Sequence, residues 1–177
     1  MRKSILTACI TWLIATYSFG QKPQVLFYGY VEEGKIEQSD DRSNKEPKKL
    51  KGVEIKVFDG ATPIKTISAR ETGFYGVLLE AGPIYQVVFS KEGYFSKSFE
   101  LDCRELFYPE DGSAVKCLSD ISLFKEVDSA ELRELSQTTY AKCSFFNGQM
   151  AWDQSYTAQS KNKFMSAARS MYTASGK

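Results

Sequence analysis

Apolar and polar positions alternate along the first two thirds of this chain in short runs, each closed by a turn that carries glycine. Residues 25–31 (Val-Leu-Phe-Tyr-Gly-Tyr-Val) form a near-continuous apolar run that predicts a first strand. Val53, Ile55 and Val57 alternate with Glu54 and Lys56, the period-two pattern of a half-buried strand. Asp59-Gly60 turns the chain, and residues 64–69 return as the next strand. Thr72-Gly73 leads into residues 74–80, and Ala81-Gly82-Pro83 into residues 84–90. Phe95, Lys97, Phe99 and Leu101 then alternate with Ser96, Ser98 and Glu100, predicting a strand with one wet face. Residues 118–124 supply a seventh candidate. Short strands at this spacing predict a mainly β chain: a seven-stranded antiparallel β-sandwich with Tyr85, Phe89 and Tyr94 in its core.

Beyond residue 126 the pattern changes, so residues 21–126 are expected to form the sandwich and 127–177 a C-terminal extension. Asp128-Ser129 ahead of residues 130–135 predicts a short helix capped by Ser129. Residues 140–146, Asn147-Gly148 and residues 149–152 predict a hairpin on an Asn-Gly turn. Residues 155–173 predict a helix with Phe164, Ala168, Met171 and Tyr172 on one side. Between the first two strands, residues 32–51 hold twelve charged side chains in twenty and are expected to be a solvated, mobile loop. The Asp40-Asp41 pair in that loop fits no calcium-loop spacing.

The segments Gly29-Tyr30-Val31, Leu50-Lys51-Gly52-Val53-Glu54-Ile55-Lys56-Val57, Thr72-Gly73-Phe74-Tyr75-Gly76-Val77 and Tyr85-Gln86-Val87 through Lys91-Glu92-Gly93-Tyr94 together resemble the carboxypeptidase regulatory-like domain. The resemblance covers residues 25–102 and continues loosely to 124. It implies a prealbumin-like (transthyretin-like) β-sandwich of the kind abundant in exported Bacteroidota proteins. It implies no activity by itself. Metallocarboxypeptidases place a zinc site of His and Glu in a neighbouring domain, and this sequence has no histidine.

That absence removes the Ser-His and Cys-His nucleophile pairs, the histidine base and the His-ligated metal. The pairs Glu32-Glu33, Asp40-Asp41 and Glu110-Asp111 lie in polar segments, where solvated carboxylates keep ordinary pKa values. The expectation is therefore no enzyme and no cofactor. Arg2 and Lys3 ahead of an apolar run, with Ser18-Phe19-Gly20 at its end, read as a signal peptide over residues 1–20. Leu6-Thr7-Ala8-Cys9 also matches a lipobox, although the apolar run continues past Cys9. The expected location is the periplasm or the periplasmic face of the outer membrane, with secretion as an alternative. With 23 basic and 22 acidic side chains, the charge balance argues against nucleic acid as a partner. No further apolar run reaches membrane-spanning length. In an oxidising compartment Cys103 and Cys117 are a candidate disulfide, leaving Cys143; three buried thiols are the other reading.

The expected function is a non-catalytic envelope module that binds or scaffolds another envelope protein. A carbohydrate-binding module is the alternative, because sugars stack on exposed aromatics. Tyr28, Tyr30 and Trp152 are the candidate contact surface, with Tyr75 and Tyr108 as further rings. A self-formed Lys–Asn crosslink is not expected, since residues 25–31 lack Lys and residues 118–124 lack Asn.

Overall fold

The computed structural model describes residues 22–35, 46–107 and 112–174. The expected signal peptide with Cys9, the Asp40-Asp41 pair, Tyr108 and the Glu110-Asp111 pair lie outside these residues. Within them the order is β1 (Gln24–Glu33), β2 (Glu54–Asp59), β3 (Thr62–Ser68), β4 (Phe74–Glu80), β5 (Ile84–Lys91), β6 (Tyr94–Asp102), β7 (Val115–Leu118) and β8 (Ile121–Leu123). Helix α1 (Ala130–Gln137), β9 (Thr139–Phe146), β10 (Gln149–Trp152) and helix α2 (Gln154–Ala174) complete it. No described helix is long and apolar enough to cross a membrane.

The period-two pattern becomes two stacked sheets. In the smaller, β1 lies between β4 and β7, and β8 pairs with β1 further along. The larger runs β10-β9-β6-β5-β2-β3. Val25, Phe27 and Val31 of β1 point inward and are fully buried, opposite Val87, Phe89 and Leu101 of the larger sheet. Phe27, Tyr75, Phe89 and Phe99 meet edge to face with ring centroids 4.9–6.3 Å apart. Each such contact adds about 0.5–1.5 kcal/mol to the area it buries.

The sandwich departs from seven antiparallel strands in two places. The predicted hairpin joins the larger sheet, because β9 pairs with β6, and that pairing is parallel. Its turn carries positive φ at both Asn147 (48°) and Gly148 (82°), as a two-residue hairpin turn requires. The second departure is that residues 118–124 split at Ser119-Asp120 into β7 and β8, each parallel to β1. The break is held by hydrogen bonds. Ser119 N–H donates to the Tyr28 carbonyl at 2.9 Å, and Tyr30 N–H donates to Asp120 Oδ1 at 2.8 Å. The Tyr75 hydroxyl donates to the Ser119 carbonyl at 2.8 Å. A Cβ on Gly29 would stand 2.0 Å from that carbonyl oxygen, so the crossing admits only glycine.

The charged segment after β1 is also tied down more firmly than its composition suggests. Leu50 is buried and its N–H donates to the Val31 carbonyl at 2.8 Å, while Glu33 N–H reaches the Lys48 carbonyl at 2.8 Å. Residues 36–45 lie outside the described range. Both predicted helix starts are capped: Ser129 Oγ accepts from Leu132 N–H at 3.2 Å, and Asp153 Oδ1 from Tyr156 N–H at 2.8 Å. Helix α2 buries Phe164, Ala167 and Ala168 against Phe95, Phe124 and Leu132, forming a second, smaller core.

Candidate functional site

Two surfaces stand out. The first is the outward face of the smaller sheet. Because side chains alternate along a strand, inward Val25 and Phe27 leave Leu26, Tyr28 and Tyr30 pointing out. Register places Leu26 between Leu78 and Lys116, Tyr28 between Gly76 and Leu118, and Tyr30 beside Phe74. The face is therefore a patch of six apolar or aromatic side chains. Tyr30, Leu78 and Leu118 are 39%, 41% and 61% exposed. Its rim is basic. Lys49 Nζ lies 4.7 Å over the Tyr30 ring and Arg70 5.4 Å over the Phe74 ring. Lys65 donates to the Leu78 carbonyl at 3.4 Å.

Of the three aromatics marked in the sequence, Tyr28 and Tyr30 share this face and Trp152 does not. Trp152 sits on β10, half-buried, with its ring 6.2 Å from Phe27 and 6.0 Å from Phe99. Tyr75 is buried in the core, and burial pushes its phenol well above its ordinary range. It is not available to a sugar. Leu26, Phe74, Leu78 and Leu118 complete the patch; for all but Leu118, which lies on β7, the signal was the lack of polar alternation in β1 and β4.

The second surface is a cleft of about 870 Å³ between β6, β8, β9 and α2. Phe99, Phe124, Tyr140, Trp152 and Met165 line its apolar side. Lys97 opens into it from β6. By strand alternation this lysine occupies an inward position between Phe95 and Phe99, and only 5% of it is exposed. Its ammonium stands 3.9 Å from the Tyr140 ring centre and 4.7 Å from that of Phe124. Burial, reinforced by the Lys161 charge, lowers its pKa to about 7. The Thr157 hydroxyl is buried in the same cleft without a hydrogen-bond partner among the described residues.

Of the three carboxylate pairs only Glu32-Glu33 lies within the described residues, and both of its members are engaged. Glu32 binds Lys49 at 3.1 Å. Glu33 accepts from the Tyr94 hydroxyl at 2.6 Å and faces Lys125 and Lys48. The Tyr94 bond above all holds its carboxyl below the usual range. Of the two cysteine readings, the structure has the three buried thiols. Cys103, Cys117 and Cys143 are all buried and unbridged, and the thiol beside Cys117 is Cys143, at 3.9 Å between sulfurs. Cys117 on β7 and Cys143 on β9 project inward from opposite sheets, which is why they meet. Burial raises Cys103 to about 12. The hydrogen bond to Cys117, then burial, raises Cys143. No group of metal-ligating side chains occurs among the described residues.

No protein-family profile and no curated protein matches this chain. Solved structures with a similar β-sandwich include 3-chlorocatechol 1,2-dioxygenase from Rhodococcus opacus, 12% identical over 62% of this chain and 62% of the enzyme, at a TM-score of 0.40. The shaft pilin SpaA from Lactobacillus rhamnosus is 14% identical over 61% of this chain and 52% of the pilin, at 0.34. The major plantain pollen allergen is 14% identical over 60% of this chain and 97% of the allergen, at 0.37. The chain thus spans less than two thirds of the dioxygenase and of the pilin. Likeness at this level transfers neither an activity nor a partner.

Proposed function

We propose that this chain is a non-catalytic, exported binding module that docks another cell-envelope protein on the outward face of its smaller sheet. One observation carries the reading: β1 and β4 are apolar on both faces, yet the fold covers only one. Strands that are apolar on both faces belong inside a protein, between two layers. Leu26, Tyr28, Tyr30, Phe74, Leu78 and Leu118 leave a hydrophobic surface that a partner would cover. The basic rim of Lys49, Lys65, Arg70 and Lys116 suits a partner with acidic residues around an apolar centre. The expected signal peptide and the resemblance to the carboxypeptidase regulatory-like domain support the envelope setting.

Glycan binding is the second reading, favoured by three neighbouring rings on this face: Tyr28, Tyr30 and Phe74. It is the weaker one. Lys49 and Arg70 lie over the Tyr30 and Phe74 rings, and those two rings meet edge to face at 5.6 Å. A stacking sugar needs a ring face that these contacts occupy.

The test is site-specific photocrosslinking in the native cell, with the crosslinker at Leu118 or, as control, at Gln86 on the larger sheet. We expect one envelope-protein adduct from position 118, lost when Tyr28→Ser is added, and none from position 86. Equal labelling from both positions would sink the reading. Retention on an immobilised envelope polysaccharide, abolished by Tyr28→Ser, would favour the glycan.

A further inference from the structure

Among the described residues, no carboxylate pairs with the buried Lys97 ammonium. No carboxylate or carbonyl among the described residues lies within hydrogen-bond reach of it; its contacts are the rings of Tyr140 and Phe124. Those rings offset part of the desolvation penalty. An uncompensated buried charge is nevertheless costly, and an apolar residue in its place would serve the fold as well or better. Lys161 makes the position worse for a cation, since its charge acts on Lys97 from α2. Among the described residues, Lys35, Lys97 and Lys161 share the lining with one carboxylate, Asp120, whose Oδ1 already accepts from Tyr30 N–H. The unmatched Thr157 hydroxyl lies in the same lining. The cleft therefore holds excess positive charge and an unused hydroxyl beside an apolar wall. Its volume of about 870 Å³ is that of a small-molecule pocket.

We propose that the cleft between β6 and α2 binds an organic carboxylate with an apolar body. The carboxylate sits between Lys97 and Lys161 with the Thr157 hydroxyl as a further donor, and the body rests on Phe99, Trp152 and Met165. A monoanion suits the site better than a phosphate dianion, because the aromatic wall makes each additional buried charge harder to desolvate. This site lies away from the outward face of the smaller sheet, so the two proposals stand or fall separately.

The probes are 2-naphthoate and its neutral analogue 2-naphthalenemethanol, titrated by calorimetry against the full chain at pH 6.5. The carboxylate should bind about 10- to 100-fold tighter than the alcohol, the advantage expected of a hydrogen bond to a charged group. Lys97→Met should abolish that preference, and Lys161→Gln should weaken naphthoate several-fold. Lysine side-chain NMR on the unmutated chain provides a readout that needs no variant: naphthoate should raise the Lys97 pKa. Equal affinity for the two probes, a preference that survives Lys97→Met, an unmoved Lys97 resonance, or no binding of either probe would each overturn the site.

Discussion

On the larger sheet the outward positions are mainly polar: Glu54, Lys56, Gln86, Ser98, Glu100 and Lys142 stand among Phe58, Ile84 and Val88, and the polar side chains bond in pairs. Gln86 donates to Ser98 Oγ at 2.9 Å, Lys142 pairs with Glu100 at 3.1 Å and Lys56 with Glu54 at 2.6 Å. On the smaller sheet the same kind of position carries Leu26, Tyr28, Tyr30, Phe74, Leu78 and Leu118, left half-buried or exposed. Both sheets obey one pleat and bury one face in a common core. The difference teaches that burial in the core does not account for all the apolar residues of β1 and β4. A second cover is implied for the smaller sheet and none for the larger.

The most severe way to break the smaller sheet is at Gly29. A methyl group there would collide with the Ser119 carbonyl, a backbone atom that cannot swing aside. Gly29→Ala should cost about 3 kcal/mol or more, read as the shift of a urea unfolding midpoint. Gly76 lies on the opposite, outward face of the same sheet, where an added Cβ meets only the Phe74 and Tyr28 side chains at 3.7–3.8 Å. Gly76→Ala should leave stability unchanged or raise it. Equal losses from both would show that the β1–Ser119 crossing is not the special contact of this sheet.

A covalent tie between the sheets ranks next. With oxidised glutathione as the two-electron oxidant, the pair that closes should be Cys117–Cys143, the two thiol protons and electrons leaving on two molecules of reduced glutathione. Peptide mapping under non-reducing conditions should find that link and no Cys103–Cys117 link. Closing the intervening loop should add about 3 kcal/mol to stability in the chain-entropy estimate.

The boundaries of β4 and the hairpin turn were legible because each depends on local pattern: alternation, and an Asn-Gly pair. The parallel docking of β9 on β6 was not, since nothing near residue 139 specifies a partner forty residues earlier. The split at Ser119 depends on Gly29, and the inward turn of Trp152 depends on which edge β10 occupies. These are relations between distant segments. Lys97 is a different case. It stood in phase with Phe95, Phe99 and Leu101, and a lysine in phase with an apolar set is itself the signal of a buried charge.

That charge gives the larger sheet its own test. The Lys97 pKa falls from 10.5 to about 7 on folding, so above pH 7 the unfolded chain binds more protons and stability rises with pH. Below pH 7 lysine is charged in both states and the penalty is constant. The groups around it are Lys161 on α2, Tyr140 on β9, and Asp120, Lys35 and Arg169 in the cleft lining. From pH 7 to 9 the gain should be about 2 kcal/mol. Above that the buried thiols and tyrosines, whose folded pKa values are raised, pull the other way. Lys97→Met should be more stable at pH 7 and show no such rise. A rise that survives the substitution would remove Lys97 as its source.

The smallest expected effect on stability bears most directly on the comparison between the sheets. Leu118 on the smaller sheet is 61% exposed and Ile84 on the larger is 38% exposed. Neither is in the core, so Leu118→Ser and Ile84→Ser should each change stability by less than about 0.5 kcal/mol. Their effects on association should differ. Leu118 is flanked by Tyr28 in a continuous apolar patch, and a serine there places an unpaired hydroxyl within the surface a partner must dry. Ile84 stands opposite Asp102 on a polar face, and its loss removes nothing a partner would bury. Leu118→Ser should therefore weaken co-purification of the envelope partner about tenfold or more while Ile84→Ser leaves it intact. If both variants kept the partner, the apolar face would be an exposed surface with no docking role. If both lost it, the contact would span the two sheets and the asymmetry between them would not be its cause.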